Sequence, residues 1–354
     1  MVIRTLKYLM AIVLISGCIE EIDLDITRTS GQLVVFGNIN TSELRQRVQL
    51  LRTSGIENRI NPVFAAELKL IDEFGNEGCF TAAENGYYNF QVSSIDVIPG
   101  RSYYLEIGLL SGEVYRSRLA RVPTVTATTV SDRQYTQQTV LSSQQVDVDI
   151  NIIQIVGETS IDDVSNPFYL RWEVDQTFRL NPTDFPDPFN SVPPPCYIIR
   201  GADPQRINLF NGENITSTSL VRRVLAEREI DYSFVNKHIF TTVTHTINED
   251  AYNFWSQVDE LINSTGSIFD VPPATILGNI YNIEDEEERV LGFFELSNTT
   301  FDRFTGFQND VPFSVPETEC EFDPNILRGQ YPGYCLSCDF FEGGSTVRPD
   351  YFDD

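Results

Sequence analysis

Cys18 is the residue whose surroundings point most clearly to a chemical modification. Arg4 and Lys7 precede an apolar stretch, Tyr8–Ser16, and small residues stand directly before the cysteine. The stretch is too short to span a bilayer, and this order of segments is typical of a signal peptide. We therefore predict that residues 1–17 are a lipoprotein signal peptide, cleaved before a lipid-modified Cys18. An ordinary secretory cleavage site with an incidental cysteine is the alternative.

An acidic tether follows the lipidation site, and we place it at residues 18–32. Its acidic side chains are those of Glu20, Glu21, Asp23 and Asp25. They are interpreted either as a surface-export signal or as a solvated segment that like charges keep extended. We expect the mature protein to be lipid-anchored in the outer membrane, facing the cell exterior. We predict no cofactor beyond the covalent lipid at Cys18, and no metal site.

Five further cysteines can form disulfides in an exported protein. The disulfide candidates are Cys196, Cys320, Cys335 and Cys338. Cys79 is the fifth, and because five is an odd number, at least one thiol stays free or pairs outside the chain. The spacing of Cys335 and Cys338 also suits a redox pair or half a zinc site with Cys320 as a third ligand. We favour structural disulfides, and the sequence does not determine their pairing.

Catalysis has little support in the sequence. The chain has two histidines, His238 and His245, and odd spacing places them on opposite faces of a predicted strand. HExxH, GxSxG and glycine-rich phosphate motifs are absent from the sequence. We therefore predict that the protein is not an enzyme. Paired carboxylates for glycoside hydrolysis have no local signature, so a surface hydrolase stays open as a hypothesis.

The composition excludes one class of partner and indicates a packed core. The formal net charge of −26 repels phosphate backbones, so we expect no nucleic-acid partner. The same charge disfavours electrostatic adhesion to anionic lipid, which leaves the acyl chains as the contact with the membrane. The 24 phenylalanines and 15 tyrosines indicate a globular chain.

Short strands separated by turn residues fill residues 33–122. Leu33–Asn40 is a first core strand, and Ala66–Asp72 alternates apolar and polar side chains. Since strands continue to Val114–Leu119 without a helical pattern between them, we predict an antiparallel β-sandwich. Pro123 and the threonine-rich stretch that follows are interpreted as a linker.

A second β-rich domain is predicted for residues 123–319, with a cysteine-containing tail at residues 320–354 packed on it. Thr275–Tyr281 and Val290–Leu296 are predicted to form its closing strand pair. The fold class is therefore mainly β, with one prominent helix at about residues 249–263.

The helix is predicted from capping and periodicity together. Asn248 is a natural N-cap, and Glu249 suits the positive end of the helix dipole. Apolar residues recur three or four positions apart along the segment. We expect Tyr252, Phe254 and Trp255 to face the core, and a ligand platform is the alternative.

Several segments together carry a resemblance. They are CIEEIDLD with QLVVFGNI, FPDPFNSVPPPCYI, AYNFWSQVDELIN, VLGFFE and CLSCDFFEGGSTVRPDYF. In this order they resemble the Bacteroidota outer-membrane lipoprotein family called domain of unknown function 4249. The resemblance implies an Ig-like or transthyretin-like first domain and pairing with a TonB-dependent (SusC-like) transporter, an outer-membrane β-barrel protein. It assigns no binding residues.

These observations predict a noncatalytic subunit of an outer-membrane complex. The leading hypothesis is a binding or lid partner of a TonB-dependent transporter, attached to the membrane through its lipid. The second hypothesis is a structural accessory subunit of an outer-membrane assembly or secretion machine. The third is the surface hydrolase.

Overall fold

β-Strands are the main elements of the computed structural model, which describes residues 31–352 except 43, 45, 55–59, 65, 143–144, 187–192, 216–220, 264–275, 319 and 342. One α-helix, α1 (Glu249–Asn263), lies within the described residues. The prediction of a mainly β fold with one prominent helix is confirmed. In chain order the strands are β1 (Leu33–Asn40), β2 (Arg47–Thr53), β3 (Ile60–Pro62), β4 (Ala66–Asp72), β5 (Glu77–Ala82), β6 (Tyr87–Phe90), β7 (Ser102–Leu109), β8 (Val114–Ser117), β9 (Ala120–Arg121), β10 (Ala127–Leu141), β11 (Asp147–Ile161), β12 (Tyr169–Leu180), β13 (Cys196–Gly201), β14 (Asn208–Asn211), β15 (Val221–Glu229), β16 (His238–Ile247), β17 (Ile280–Asn282), β18 (Leu291–Gly306) and β19 (Gly344–Ser345).

One continuous sheet runs through most of these strands. Its order is β17-β8-β7-β4-β5-β6-β2-β1-β18-β16-β12-β13-β19, with β3, β9 and β14 paired at its sides. The pairing of β1 with β18 is parallel, whereas the neighbouring pairs β1–β2 and β16–β18 are antiparallel. A second sheet has the order β10-β11-β15. The strand β18 therefore links the N-terminal strands to the later ones.

The first hydrophobic core lies inside the N-terminal β-sandwich. Val35, Leu70 and Tyr103 are buried there, and Ile280 and Phe294 join them from much later in the chain. Since β17 pairs with β8 and β18 pairs with β1, the sandwich uses segments beyond residue 122. The predicted strand pair of residues 275–281 and 290–296 is wrong for the same reason. Alternation predicts a strand but does not identify its partner.

Gly292 permits the parallel pairing of β18 with β1. Its φ is +90°, in the left-handed region that favours glycine. A Cβ atom at this position would lie 2.1 Å from the carbonyl oxygen of Val35. Any larger residue would push the two strands apart.

The second core lies between the β10-β11-β15 sheet and one face of β12 and β16. Trp172 donates from Nε1 to Oγ1 of Thr129 at 3.0 Å, and Thr129 shares a 2.6 Å hydrogen bond with Thr244. The interpretation of the threonine-rich stretch as a linker is wrong, because these residues begin the 15-residue strand β10. Threonine is β-branched and has high strand propensity, so the composition that suggested a linker also suits a strand.

Two disulfides hold the C-terminal tail, one by joining it to the sheet and one within the tail itself. Cys196 on β13 bonds Cys338, and Cys320 bonds Cys335. All four cysteines are buried in a cluster with Phe178 and neighbouring side chains of β12 and β13. All four disulfide candidates from the sequence are thus bonded, whereas Cys79 is free and exposed. The zinc alternative fails because all four sulfur atoms are in disulfides, and the redox alternative fails because Cys335 and Cys338 do not bond each other.

Helix α1 follows β16 and packs against β12, β14 and β18 of the large sheet. The side chain of Asn248 accepts a hydrogen bond from the backbone N–H of Ala251 at 2.9 Å, which confirms the predicted N-cap. Phe254 is buried and stacks on Phe293 with ring centroids 4.8 Å apart. Phe254 therefore faces the core as expected, while Trp255 points to the cavity described next.

Candidate functional site

A groove of about 460 Å³ lies on one face of the central sheet. Its floor comes from β1, β18, β16 and β12, and β2 lines one side. Trp255 of α1 and Tyr351 near the C-terminus contribute to its walls. The volume is within the range of small-molecule pockets.

Strand alternation explains why polar side chains collect in this groove. On β12, Leu170 and Trp172 are buried in the second core, so Arg171 and Glu173 face the opposite side. On β18, Phe294 lies in the first core, whereas its neighbours in the chain line the groove. The hydrophobic cores thus fix which side chains form the groove floor.

A charged cluster occupies the centre of the floor. Arg171 donates from Nη2 to Oε1 of Glu295 at 2.8 Å and from Nε to Oε2 at 3.1 Å. Trp255 donates from Nε1 to the same Oε2 at 2.7 Å, and Asn38 donates to Oε1 at 2.5 Å. A further hydrogen bond joins Nη1 of Arg171 to Oε1 of Glu173. Both oxygens of Glu295 are therefore occupied by donors from this chain.

Both carboxylates of the cluster are held in the ionised form. Burial favours the neutral acid of Glu295, but the charge of Arg171 outweighs it and lowers the pKa of Glu295. At Glu173, burial raises the pKa and the charge of Arg171 lowers it, and the pKa lies well below its usual range. The Glu173 side chain keeps 47% of its surface accessible, and that surface faces the groove. Burial lowers the pKa of Arg171, but the two carboxylates outweigh it, so Arg171 stays charged.

His245 lies beside this cluster with one ring nitrogen bonded and the other unpartnered. Nδ1 is 2.9 Å from Oγ1 of Thr299 and 3.2 Å from Oγ of Ser297. Nε2 is buried without a hydrogen-bond partner, and the nearest carboxylate oxygen, Oε2 of Glu173, is 3.9 Å away. The hydroxyls therefore fix the ring, while Nε2 is buried beside the groove without a hydrogen-bond partner.

His238 has a different environment, as the odd spacing of the two histidines predicts. Its ring stacks on Phe234 at 4.2 Å and on Phe240 at 4.6 Å, away from the groove. Nε2 shares a 3.1 Å hydrogen bond with Gln176. Burial lowers the pKa of His238 to about 3, so this residue is a neutral core side chain at ordinary pH.

Two aromatic rings in the groove walls each lie against an arginine. The guanidinium of Arg171 lies 4.8 Å from the ring centre of Trp255, and that of Arg303 lies 4.0 Å from Tyr351. Phe36 keeps 42% of its surface accessible and lines the floor. The groove thus offers apolar faces as well as charged and hydrogen-bonding atoms.

Among the residues that the structure describes, none of the site residues predicted from the sequence lines this groove. Cys18, Glu20, Glu21, Asp23 and Asp25 lie outside the described residues. The disulfide cysteines do not line the groove. Within the described part of the chain, no group of three or more histidine, cysteine or acidic side chains has metal-binding geometry.

Sequence reasoning missed Arg171, Glu173 and Glu295, although a signal was present. FYLRWEV and LGFFELSN are strongly apolar strands that carry charged residues at their centres. A charge within such a strand implies a second, polar face, because successive side chains alternate. What the sequence does not provide is the pairing that brings β12 and β18 to the same groove.

These features define a mainly β protein with an amphipathic groove on the sheet that joins its cores. None of the helices in the described residues is both long and apolar enough to cross a membrane. The chain belongs to the family of the domain of unknown function DUF4249, whose sequence model matches residues 19–303. Comparison with curated proteins and with solved structures gave no match.

Proposed function

We propose that this protein is a noncatalytic ligand-binding subunit of an outer-membrane complex, anchored by lipid at Cys18. The groove is the observation that supports binding, because it combines a ligand-sized volume with aromatic walls and a few convergent polar groups. The signal sequence and lipidation site support the membrane location. The proposed partner is a TonB-dependent transporter, to which the groove would supply ligand.

The state of the carboxylates supports binding rather than hydrolysis. Glycoside hydrolysis needs one carboxyl group with a raised pKa that donates a proton. In the groove, Arg171 lowers the pKa of both Glu173 and Glu295. Glu295 is also fully hydrogen-bonded and almost inaccessible. Neither residue suits the role of general acid.

The β10–β11 hairpin favours a second candidate, the structural accessory subunit. β15 pairs with β11 at residues 152–159. Among the described strands, residues 137–141 of β10 and 147–151 of β11 therefore pair with each other alone, as a two-stranded ribbon. Leu141 and Val146 at the tip keep 65% and 57% of their surface accessible. A two-stranded ribbon with exposed aliphatic side chains suits protein contact.

Affinity purification from native outer membranes tests the proposal. We expect the tagged protein to copurify with one TonB-dependent transporter in stoichiometric amounts, identified by mass spectrometry. Cys18→Ala should leave the membrane fraction, and Glu173→Gln should still copurify because the groove binds ligand rather than the transporter. Recovery with an assembly or secretion barrel would support the structural subunit instead. Recovery alone in repeated preparations would contradict both candidates.

A further inference from the structure

Two polar atoms in the groove face each other without a hydrogen bond between them. Nε2 of His245 and Oε2 of Glu173 are 3.9 Å apart, which exceeds hydrogen-bond distance. Nε2 has no other partner, although the His245 side chain keeps only 5% of its surface accessible. A buried polar atom without a partner is energetically unfavourable. A third polar atom placed between the two would satisfy both.

The chemistry of these atoms defines the group that fits between them. An ionised carboxylate only accepts hydrogen bonds. The hydroxyls of Thr299 and Ser297 can donate to Nδ1, and the ionised carboxylate of Glu173 lies opposite Nε2, so we assign the ring proton to Nε2. A bridging group must therefore accept from His245 and donate to Glu173. A hydroxyl does both, whether it belongs to a ligand or to a water that the ligand displaces, whereas an ammonium group cannot accept and an ionised carboxylate or phosphate cannot donate.

The surrounding walls suit the rest of such a ligand. Phe36, Trp255 and Tyr351 present aromatic surface to the groove. Aromatic rings pack well against the apolar C–H faces of sugar rings, whose hydroxyls lie at the ring edge. Glu295 is fully bonded within the protein, so Glu173 is the carboxylate of the charged cluster that is available to a ligand hydroxyl.

Building on the proposed ligand-binding function, we propose that the groove binds a carbohydrate, with one sugar hydroxyl bridging Nε2 of His245 and Oε2 of Glu173. The remaining sugar surface lies against the aromatic walls. A site that hydrogen-bonds a hydroxyl strongly rejects the analogue that lacks it.

The chain has two histidines, which allows a direct experiment. The full chain is labelled with ¹⁵N-histidine and kept in a detergent whose headgroup is not a sugar. Its two sets of ring signals are assigned with His238→Phe. The probe is a mixture of neutral oligosaccharides prepared from starch, cellulose, xylan and mannan. The signal of His245 Nε2 should shift on titration, while the signals of His238, stacked between Phe234 and Phe240, should not.

Variants locate the contact. Glu173→Gln should weaken oligosaccharide binding about tenfold, because the ligand hydroxyl then donates to a neutral amide oxygen instead of a charged carboxylate. Glu158→Gln is the matched control, since Glu158 pairs with Arg222 and does not line the groove. For the best oligosaccharide, removal of one hydroxyl should weaken binding to the wild type by a larger factor than binding to Glu173→Gln.

The outcomes separate this inference from the proposed function. An unchanged His245 signal, or equal binding by Glu173→Gln and the wild type, overturns the carbohydrate assignment. A tryptic peptide mixture is titrated in the same way. A shift with peptides but not with oligosaccharides overturns the inference and leaves ligand binding intact. If neither mixture shifts the signal, both the inference and the ligand-binding role fail.

Discussion

At the scale of single residues, Arg171 and Glu295 are paired where neither is exposed to bulk water. Their side chains keep 6% and 2% of their surface accessible. Such a pair contributes little net stability, because desolvation offsets the attraction, but removing one partner leaves an uncompensated buried charge. Trp255 donates to Glu295 of this pair, and Glu173 accepts from Arg171. The pair thus positions both side chains at the groove.

Arg171→Met should lower the free energy of unfolding by about 3–5 kcal/mol, because Glu295 then stays buried without its counter-charge. Urea unfolding followed by circular dichroism measures this change. The control is Arg116→Met, which breaks a pair with Glu106 in which 41% and 24% of the side-chain surfaces are accessible. The free energy of unfolding of that variant should fall by less than about 1 kcal/mol. Equal losses in the two variants would contradict the interpretation.

His238 should make stability depend on pH. Its pKa is about 3 in the folded protein, against about 6.5 in an unfolded chain. The unfolded state therefore binds a proton that the folded state does not, and stability falls as pH falls from 6.5 toward 3. Replacement by phenylalanine should make the loss of stability between pH 6.5 and 4.5 shallower than in the wild type. Urea unfolding at several pH values measures both slopes, and identical slopes would refute a neutral buried His238.

At the scale of elements, the N-cap of α1 offers a direct test of helix docking. Asn248→Ala should cost about 1 kcal/mol, since the N–H of Ala251 loses its acceptor. Asn253→Ala on the exposed side of the same helix is the matched control and should be neutral or slightly stabilising. Thermal unfolding measures both variants. An unchanged melting temperature for Asn248→Ala would show that the cap does not limit stability.

Local sequence patterns predicted most of the individual helices and strands, but they did not predict which strands pair with each other. The bounds of α1, β1 and β4 agree with the sequence prediction, because capping, periodicity and alternation are local signals. β10 was missed since threonine suits strands and irregular segments alike. The pairing of β1 with β18 joins residues more than 250 positions apart, such as Asn38 and Glu295. No local pattern encodes that contact, and the groove depends on it.

At the scale of the whole molecule, the two disulfides differ in the length of chain that they close. Cys320–Cys335 spans 15 residues, and Cys196–Cys338 spans 142. If a disulfide stabilises the folded state by lowering the entropy of the unfolded chain, loops of these lengths add about 3 and about 5 kcal/mol to the free energy of unfolding. Both bonds lie in the same buried cluster, so the length of the closed loop is the main difference between them.

Replacing both members of each pair by alanine should therefore destabilise the protein more for Cys196/Cys338 than for Cys320/Cys335. Urea unfolding under oxidising conditions measures the two losses. Limited proteolysis should cut the tail of either variant before the rest of the chain. Cys79→Ala is the control and should be neutral, since its thiol is free and exposed. A larger loss for the short loop would show that packing rather than chain entropy dominates.

The position of β1 has a mechanical consequence. The strand begins at Leu33, just after the predicted tether, and lies between β2 and β18. A pull on the N-terminal end acts along the strand, whereas the hydrogen bonds to its neighbours run across it. The load is then shared by all of these bonds in shear rather than breaking them one at a time. Because Phe36 and Asn38 of β1 line the groove, tension between a membrane anchor and a moving partner would act directly on the groove floor.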